Sequence, residues 1–287
     1  MKHQIILILL ASILTLSCEF QTFSNPEAVD INVFATPGID FLNHSSLVNQ
    51  AIDMVENERA DSLYIMNAPG PEFITTADDI SAEVDNLGLD SNYSATYWPW
   101  IQVRDTDNAT QLYIPPTGEV LKNIALTDNV SYPWFAVAGY SRGLVNAIKA
   151  TKKLTLDERD ELYKNRINPI ATFPRLGFVI YGQKTLQINK SALDRVNVRR
   201  LMLEIKRIII GIAQKIVFEQ NTPAVRNKFV ADASFQLGLI QVQAGIEGFQ
   251  VIMNETNNTQ EDADLNRLNG RIVVVPTRVV EFIAIDF

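Results

Sequence analysis

Cysteine occurs once in this chain of 287 residues, as Cys18, and histidine twice, as His3 and His44. A single cysteine excludes an internal disulfide framework and every multi-cysteine metal site. Two histidines leave little for zinc, haem or Ser-His-Asp chemistry. Basic residues are also short: 25 Lys and Arg stand against 33 Asp and Glu, for a net charge of -8. An acidic chain is unsuited to direct nucleic-acid binding, which needs a surplus of cations to displace counterions. No G-x-G-x-x-G or Walker pattern occurs, so a nucleotide cradle lacks its glycines. These absences point away from enzymes, and no metal or cofactor is expected. What is plentiful is apolar surface, at 47% of residues, enough for one large domain or two ordinary ones and too much for disorder.

The first eighteen residues differ from the rest. Lys2 and His3 precede an apolar run from Ile5 to Leu16. As a helix it would reach about 18 Å, short of the roughly 30 Å hydrocarbon core of a bilayer. That length fits a signal-peptide core. Cys18 after Thr15-Leu16-Ser17 is similar to a lipobox, which makes Cys18 a candidate lipidation site. The plainer reading is a spurious hydrophobic start.

Beyond residue 25 the pattern alternates. Asp30 to Ala35 reads as a strand that stops at Thr36-Pro37-Gly38, and Ser45 or Ser46 can cap a helix through Leu47, Val48, Ala51, Ile52 and Val55. Ser62 to Met66 is a second strand, and Thr76 opens a second helix that ends at Gly88. This succession predicts crossover units and a largely parallel sheet. Ala95 to Arg104 and Gln111 to Pro115 read as a hairpin, Thr155 as the cap of a surface helix, and Arg175 to Tyr181 as a strand. The last hundred residues read as a long helix from Val196 to Phe218, a second from Ala224 to Gln243, and strands at Phe249–Met253, Ile272–Val275 and Val279–Ile285. The expected class is α/β and α+β: mixed sheets flanked by helices, with a C-terminal α+β unit. The expected division is a signal-like segment at 1–18, an α/β domain at 25–185 and a C-terminal domain at 186–287.

Gly139-Tyr140-Ser141-Arg142-Gly143 satisfies G-x-S-x-G, with Trp134 to Val137 as a candidate strand before it and Leu144 to Ala150 as a candidate helix after it. A nucleophilic serine there needs a histidine downstream, and none follows His44. The alternative is a tight glycine turn carrying an exposed Arg142. Asp105-Thr106-Asp107 lacks the glycine and closing glutamate of a calcium loop and reads as a hairpin turn. Arg195, Arg199, Arg200, Lys206 and Arg207 crowd the start of a helix, where cations oppose the macrodipole. They are either a docking surface for an acidic partner or a solvated face.

Several segments, in order, resemble the contractile tail sheath proteins of myophages. They are Asn25-Pro26-Glu27, Val29 to Gly38, Tyr97-Trp98-Pro99-Trp100, Tyr113-Ile114-Pro115-Pro116 and Pro133 to Gly139 with Arg142-Gly143. Gly182 to Leu186, Val196 to Leu201, Gly245 to Gly248, Pro276 and Glu281-Phe282-Ile283 continue the likeness.

The resemblance implies a structural subunit without catalysis, in a sheath that surrounds an inner tube and contracts to drive it through a host envelope. Implied partners are other sheath subunits, the tail tube protein, the baseplate and the tail terminator. Arg199, Arg200 and Arg207 become candidate inter-subunit or tube contacts. Terminal arms that add strands to a neighbour's sheet are expected to be missing, since the chain looks truncated at both ends against that family. The implied location is the virion tail, assembled in the host cytoplasm. The competing reading is an exported surface lipoprotein, anchored through Cys18 and acting as a binding module.

Overall fold

The computed structural model describes residues 22–281. The chain divides into two compact units, Met1–Arg200 and Leu201–Phe287. In chain order, the first holds β1 (Val33–Asp40), α1 (Ser45–Asp53, running on as a π-helical turn over Met54–Arg59), β2 (Leu63–Asn67), α2 (Ala77–Asn86) and β3 (Ser94–Trp98). β4 (Ile101–Asp105), β5 (Thr110–Ile114), α3 (Thr117–Val130), α4 (Gly139–Arg142), β6 (Leu144–Val145) and β7 (Lys149–Ala150) follow. α5 (Leu156–Lys164), β8 (Ile167–Phe173) and β9 (Gly177–Ile180) complete that unit, apart from the start of α6 (Val196–Gln214), within which the division falls.

β1, β2, β3 and β8 run parallel, joined by helical crossovers, and β9 and β6 extend the sheet antiparallel in the order β1-β2-β3-β8-β9-β6. Every residue of β2 and β3 is buried, as central strands covered on both faces must be. Phe41, Val48, Val55, Tyr64, Ile80, Val84, Trp98 and Leu162 pack around them into one core cluster. Local chemistry starts the helices at the expected places. Thr76 Oγ1 accepts the Asp79 N–H at 3.1 Å, and Thr155 and Glu158 form a reciprocal capping box.

Several polar groups inside this core are paired, although Ser62 Oγ and Ser81 Oγ are buried without a partner. The Tyr64 hydroxyl and Thr36 Oγ1 share a 2.7 Å hydrogen bond, and burial pushes the phenol up to about 12. The Asn67 side-chain amide donates to the Thr36 and Ile39 carbonyls at 2.8 and 3.1 Å, and its oxygen accepts from Thr117 Oγ1 at 2.6 Å. This explains the first departure from expectation: β1 does not stop at Thr36-Pro37-Gly38 but continues to Asp40, with an irregular register between Ala35 and Asp40. Asn67 supplies the bonds that the interrupted ladder does not.

Other departures are local. The residue before α1 is His44, with no side-chain cap, so neither Ser45 nor Ser46 plays that part. The run Ala95 to Arg104 breaks at the cis Trp98–Pro99 bond into strands of two different sheets, since β4 pairs with β5 and β7. Leu144 to Ala150 is not helical but holds the short strands β6 and β7, and Trp134 to Val137 lies in turns. α3, a helix of fourteen residues, has no counterpart in the sequence reading.

The second unit holds the rest of α6, then α7 (Pro223–Val242), β10 (Ile246–Ile252), α8 (Gln260–Asp264) and β11 (Arg271–Pro276). Thr222 caps α7 and Pro223 occupies its first turn, where a missing N–H costs nothing. α6 stops at Gln214, short of Phe218. β10 and β11 form a two-stranded antiparallel sheet. Ile212, Phe229, Ala233 and Met253 make its buried cluster, with Ile208, Ile209 and Ile216 half-buried against it. Val279 to Glu281 is not strand, and the remainder of that expected strand lies outside the described residues.

Candidate functional site

The arginines at the start of α6 are not a solvated patch. Residues 196–201 are buried all round the helix, and Arg199 and Arg200 are only 6% and 5% exposed. The Arg199 guanidinium lies 3.9 Å from the centre of the Tyr93 ring and donates to the backbone and side-chain oxygens of Asn92. Its pKa is lowered, mainly by loss of solvent, with Tyr93 and Glu56 opposing. Arg200 Nη2 reaches both carboxylate oxygens of Asp128 at 2.6 Å. It also lies near Tyr97, whose hydroxyl is pushed up by burial and drawn down by the arginine. Asn197 Nδ2 donates to the Trp134 carbonyl at 3.3 Å. Three side chains of one helical turn thus reach three separate segments of the first unit. The unfavourable position of the cations at a helix start is offset by these partners.

Arg207, two turns on and within the second unit, has a side chain 33% exposed and pairs with Glu204 at 3.0 Å. Cys18 lies outside the described residues.

Ser141 sits on α4, a single helical turn, without the strand and helix that a nucleophile elbow requires. Gly143 is obligatory for a packing reason: a Cβ there would come within 2.8 Å of the Gly139 and Ile180 carbonyl oxygens. Arg142 is not a free exposed cation either. Its Nε donates to the Ala136 carbonyl at 2.9 Å and its guanidinium lies 5.1 Å from the Phe135 ring centre. An open groove of about 400 Å³ beside Ser141 is lined by Leu126, Val130 and Leu144 among others. Among the described residues no cluster of three or more His, Cys, Asp or Glu could hold a metal, and no helix is long and apolar enough to cross a membrane.

Surfaces missed in the sequence stand out instead. On α7, Phe235, Leu239 and Val242 share an outward face and are 65%, 41% and 86% exposed. α7 carries apolar residues on both its faces, and that signal was present in the sequence. Val273 and Val275 of β11 are exposed as well. On the six-stranded sheet the terminal strand β6 is blocked from α3: Asn123 Nδ2 donates to the Leu144 carbonyl at 2.8 Å and Glu119 accepts the Asn146 N–H at 3.0 Å.

Residues 20–186 match the phage tail sheath protein central domain. The chain belongs to the phage tail sheath family. It is 33% identical over 264 residues to the tail sheath protein of Vibrio phage KVP40, covering 85% of this chain and 39% of that protein. It is 28% identical over 283 residues to the tail sheath protein of Enterobacteria phage T4, covering 92% and 43%. The chain therefore spans about two fifths of the length of these relatives. Its fold is that of sheath subunits. It matches the contracted PVC sheath complex of an extracellular contractile injection system with a TM-score of 0.77 at 22% identity, over 93% of this chain and 74% of that one. The helical sheath of the anti-feeding prophage, also contracted, gives 0.75 at 21% identity, over 95% and 73%. A sheath family is a structural one, and an exported lipoprotein draws no support from these relatives.

Proposed function

We propose that this chain is a structural subunit of a contractile tail sheath, which surrounds an inner tail tube and contracts to drive the tube through a host envelope. The observation that carries the reading is the family match over residues 20–186, joined to a fold shared with sheath subunits. Its partners are other copies of the sheath subunit, the tail tube protein, the baseplate and the tail terminator. Its place is the virion tail, after assembly in the host cytoplasm. It works through interfaces, without cofactor, catalytic residue or nucleic-acid contact. Residues 25–185 act as one sheath domain and 186–287 as the C-terminal one.

The exposed apolar face of α7 supports assembly by packed faces. Of the three arginines, Arg207 has the most exposed side chain, which supports a contact with a neighbouring subunit or the tube. Arg199 and Arg200 serve assembly by fixing the start of α6. The decisive experiment is co-expression with a cognate tube protein, followed by electron microscopy. Sheathed tubes that shorten and thicken on triggering are expected, and bare tubes with monomeric chain would overturn the proposal. Arg207→Glu is expected to lower the fraction of sheathed tubes, and unchanged sheathing would remove it from the interface.

A further inference from the structure

Arg59 closes the π-helical turn after α1 and is 3% exposed, yet its guanidinium serves a segment more than thirty residues upstream. Nη1 donates to the carbonyls of Phe23 and, more weakly at 3.4 Å, Asn25. Nη2 donates to the Val29 carbonyl at 2.7 Å. The remaining side of the fork is held by Asp61, at 2.9 Å from Nε and 3.2 Å from Nη2. Residues 25–28 are exposed, and their turn is closed on Asn25, which accepts from Ala28 and Val29 through its carbonyl and from Glu27 through its side chain. Regular pairing begins only at Asn32, whose carbonyl accepts from Leu63. The Phe23 ring also packs against the edge of the core cluster, 5.9 Å from Phe34.

We propose that residues 22–31 are a releasable strap and that Arg59 is its latch. One buried cation holds three carbonyls that no sheet ladder supports. When the strap leaves, Asp61 still pairs with Nε and Nη2, so the guanidinium is not abandoned as an unpaired buried charge. Opening is therefore a local event, well below global unfolding in free energy. It frees residues 22–31 as a tether while the parallel sheet stays intact, and it uncovers the side of the Phe34 ring that Phe23 meets. Arg59 is a positioning residue for the path by which the upstream chain enters the fold.

A Glu-specific endoprotease tests this, because Glu27 sits at the exposed centre of the strap. In the full chain, Arg59→Lys keeps the charge but loses the fork. Cleavage after Glu27 is expected to rise about tenfold, while amide exchange in β2 and β3 stays as in the parent. Cleavage at the parent rate would overturn the latch. So would a rise matched by equal loss of protection in β2 and β3, since that is general unfolding. Should Arg59→Lys fail to fold, Asp61→Asn decides: faster cleavage with intact β2 protection supports the latch, and an unchanged rate overturns it.

Discussion

β2 in the first unit exposes no residue, whereas β11 in the second alternates exposed and half-buried side chains along its length. The helices differ in the same way. α2 turns Ala77, Ile80 and Val84 inward and carries acidic residues in its first turn, while α7 buries Phe229, Ala233, Leu237 and Ile240 and still presents Phe235, Leu239 and Val242 outward. The centre of the first unit leaves no strand residue exposed, whereas a long helix of the second has apolar residues exposed opposite its buried face. A sequence with apolar residues on two faces of a helix is asking for two partners, of which the second unit supplies one. The central strands of the first unit are covered on both faces, and the outward face of α7 is open to a partner.

The comparison can be broken most easily at its well-packed end. Trp98→Ala removes a side chain 1% exposed and should cost about 4 kcal/mol in chemical denaturation. A loss under about 1 kcal/mol would mean that the first core is far more tolerant than its burial implies. Next comes the Arg200–Asp128 pair. Asp128→Ala leaves a buried guanidinium without its carboxylate and is expected to lose about 3 kcal/mol, whereas Arg200→Met should lose less. Equal losses would show that packing of the arginine stem, and not its charge, holds the start of α6.

A smaller effect concerns pH. Backbone hydrogen bonding from Thr155, ahead of a contribution from Lys152, lowers the Glu158 pKa below its ordinary value. A depressed folded pKa stabilises above the unfolded value, near 4.3, and that stabilisation is lost as pH falls through the folded value. Amide protection across α5 should therefore weaken selectively in that acid range, and in Glu158→Gln the acid dependence should vanish. Smallest of all, in folding terms, is the outer face of α7. Phe235→Ser with Val242→Ser should leave stability within about 0.5 kcal/mol while reducing binding of an apolar fluorescent dye. Undiminished dye binding would place the uncovered surface elsewhere.

Much of this was legible before any coordinates. Thr76 and Thr155 announced two helices through chemistry within a few residues, and the apolar run at β2 announced a strand. The signals that failed were those whose partners are remote. Arg199 and Arg200 looked like surface charge because Asn92 and Asp128 lie 107 and 72 positions away. β6 and β7 were misread as a helix because strands of two residues carry no period to read. α3 went unread although Val120, Ile124 and Thr127 mark its inner face, since Pro115-Pro116 reads first as the end of a strand. Of the candidate site, the arginines were legible as a group, and the outward face of α7 was not, because its apolar residues fall on both sides of the helix.

The two side chains that α3 sends to β6 have a consequence for how such subunits can multiply. Asn123 and Glu119 occupy hydrogen-bonding groups that an incoming strand would need at that side of the sheet. The six-stranded sheet is in this respect a chain-terminated polymer end, closed to further growth by its own molecule. Strand addition by another copy is thereby disfavoured at that edge. An assembly whose subunits must keep register is poorly served by random edge pairing, and two side chains on one helix remove one source of it.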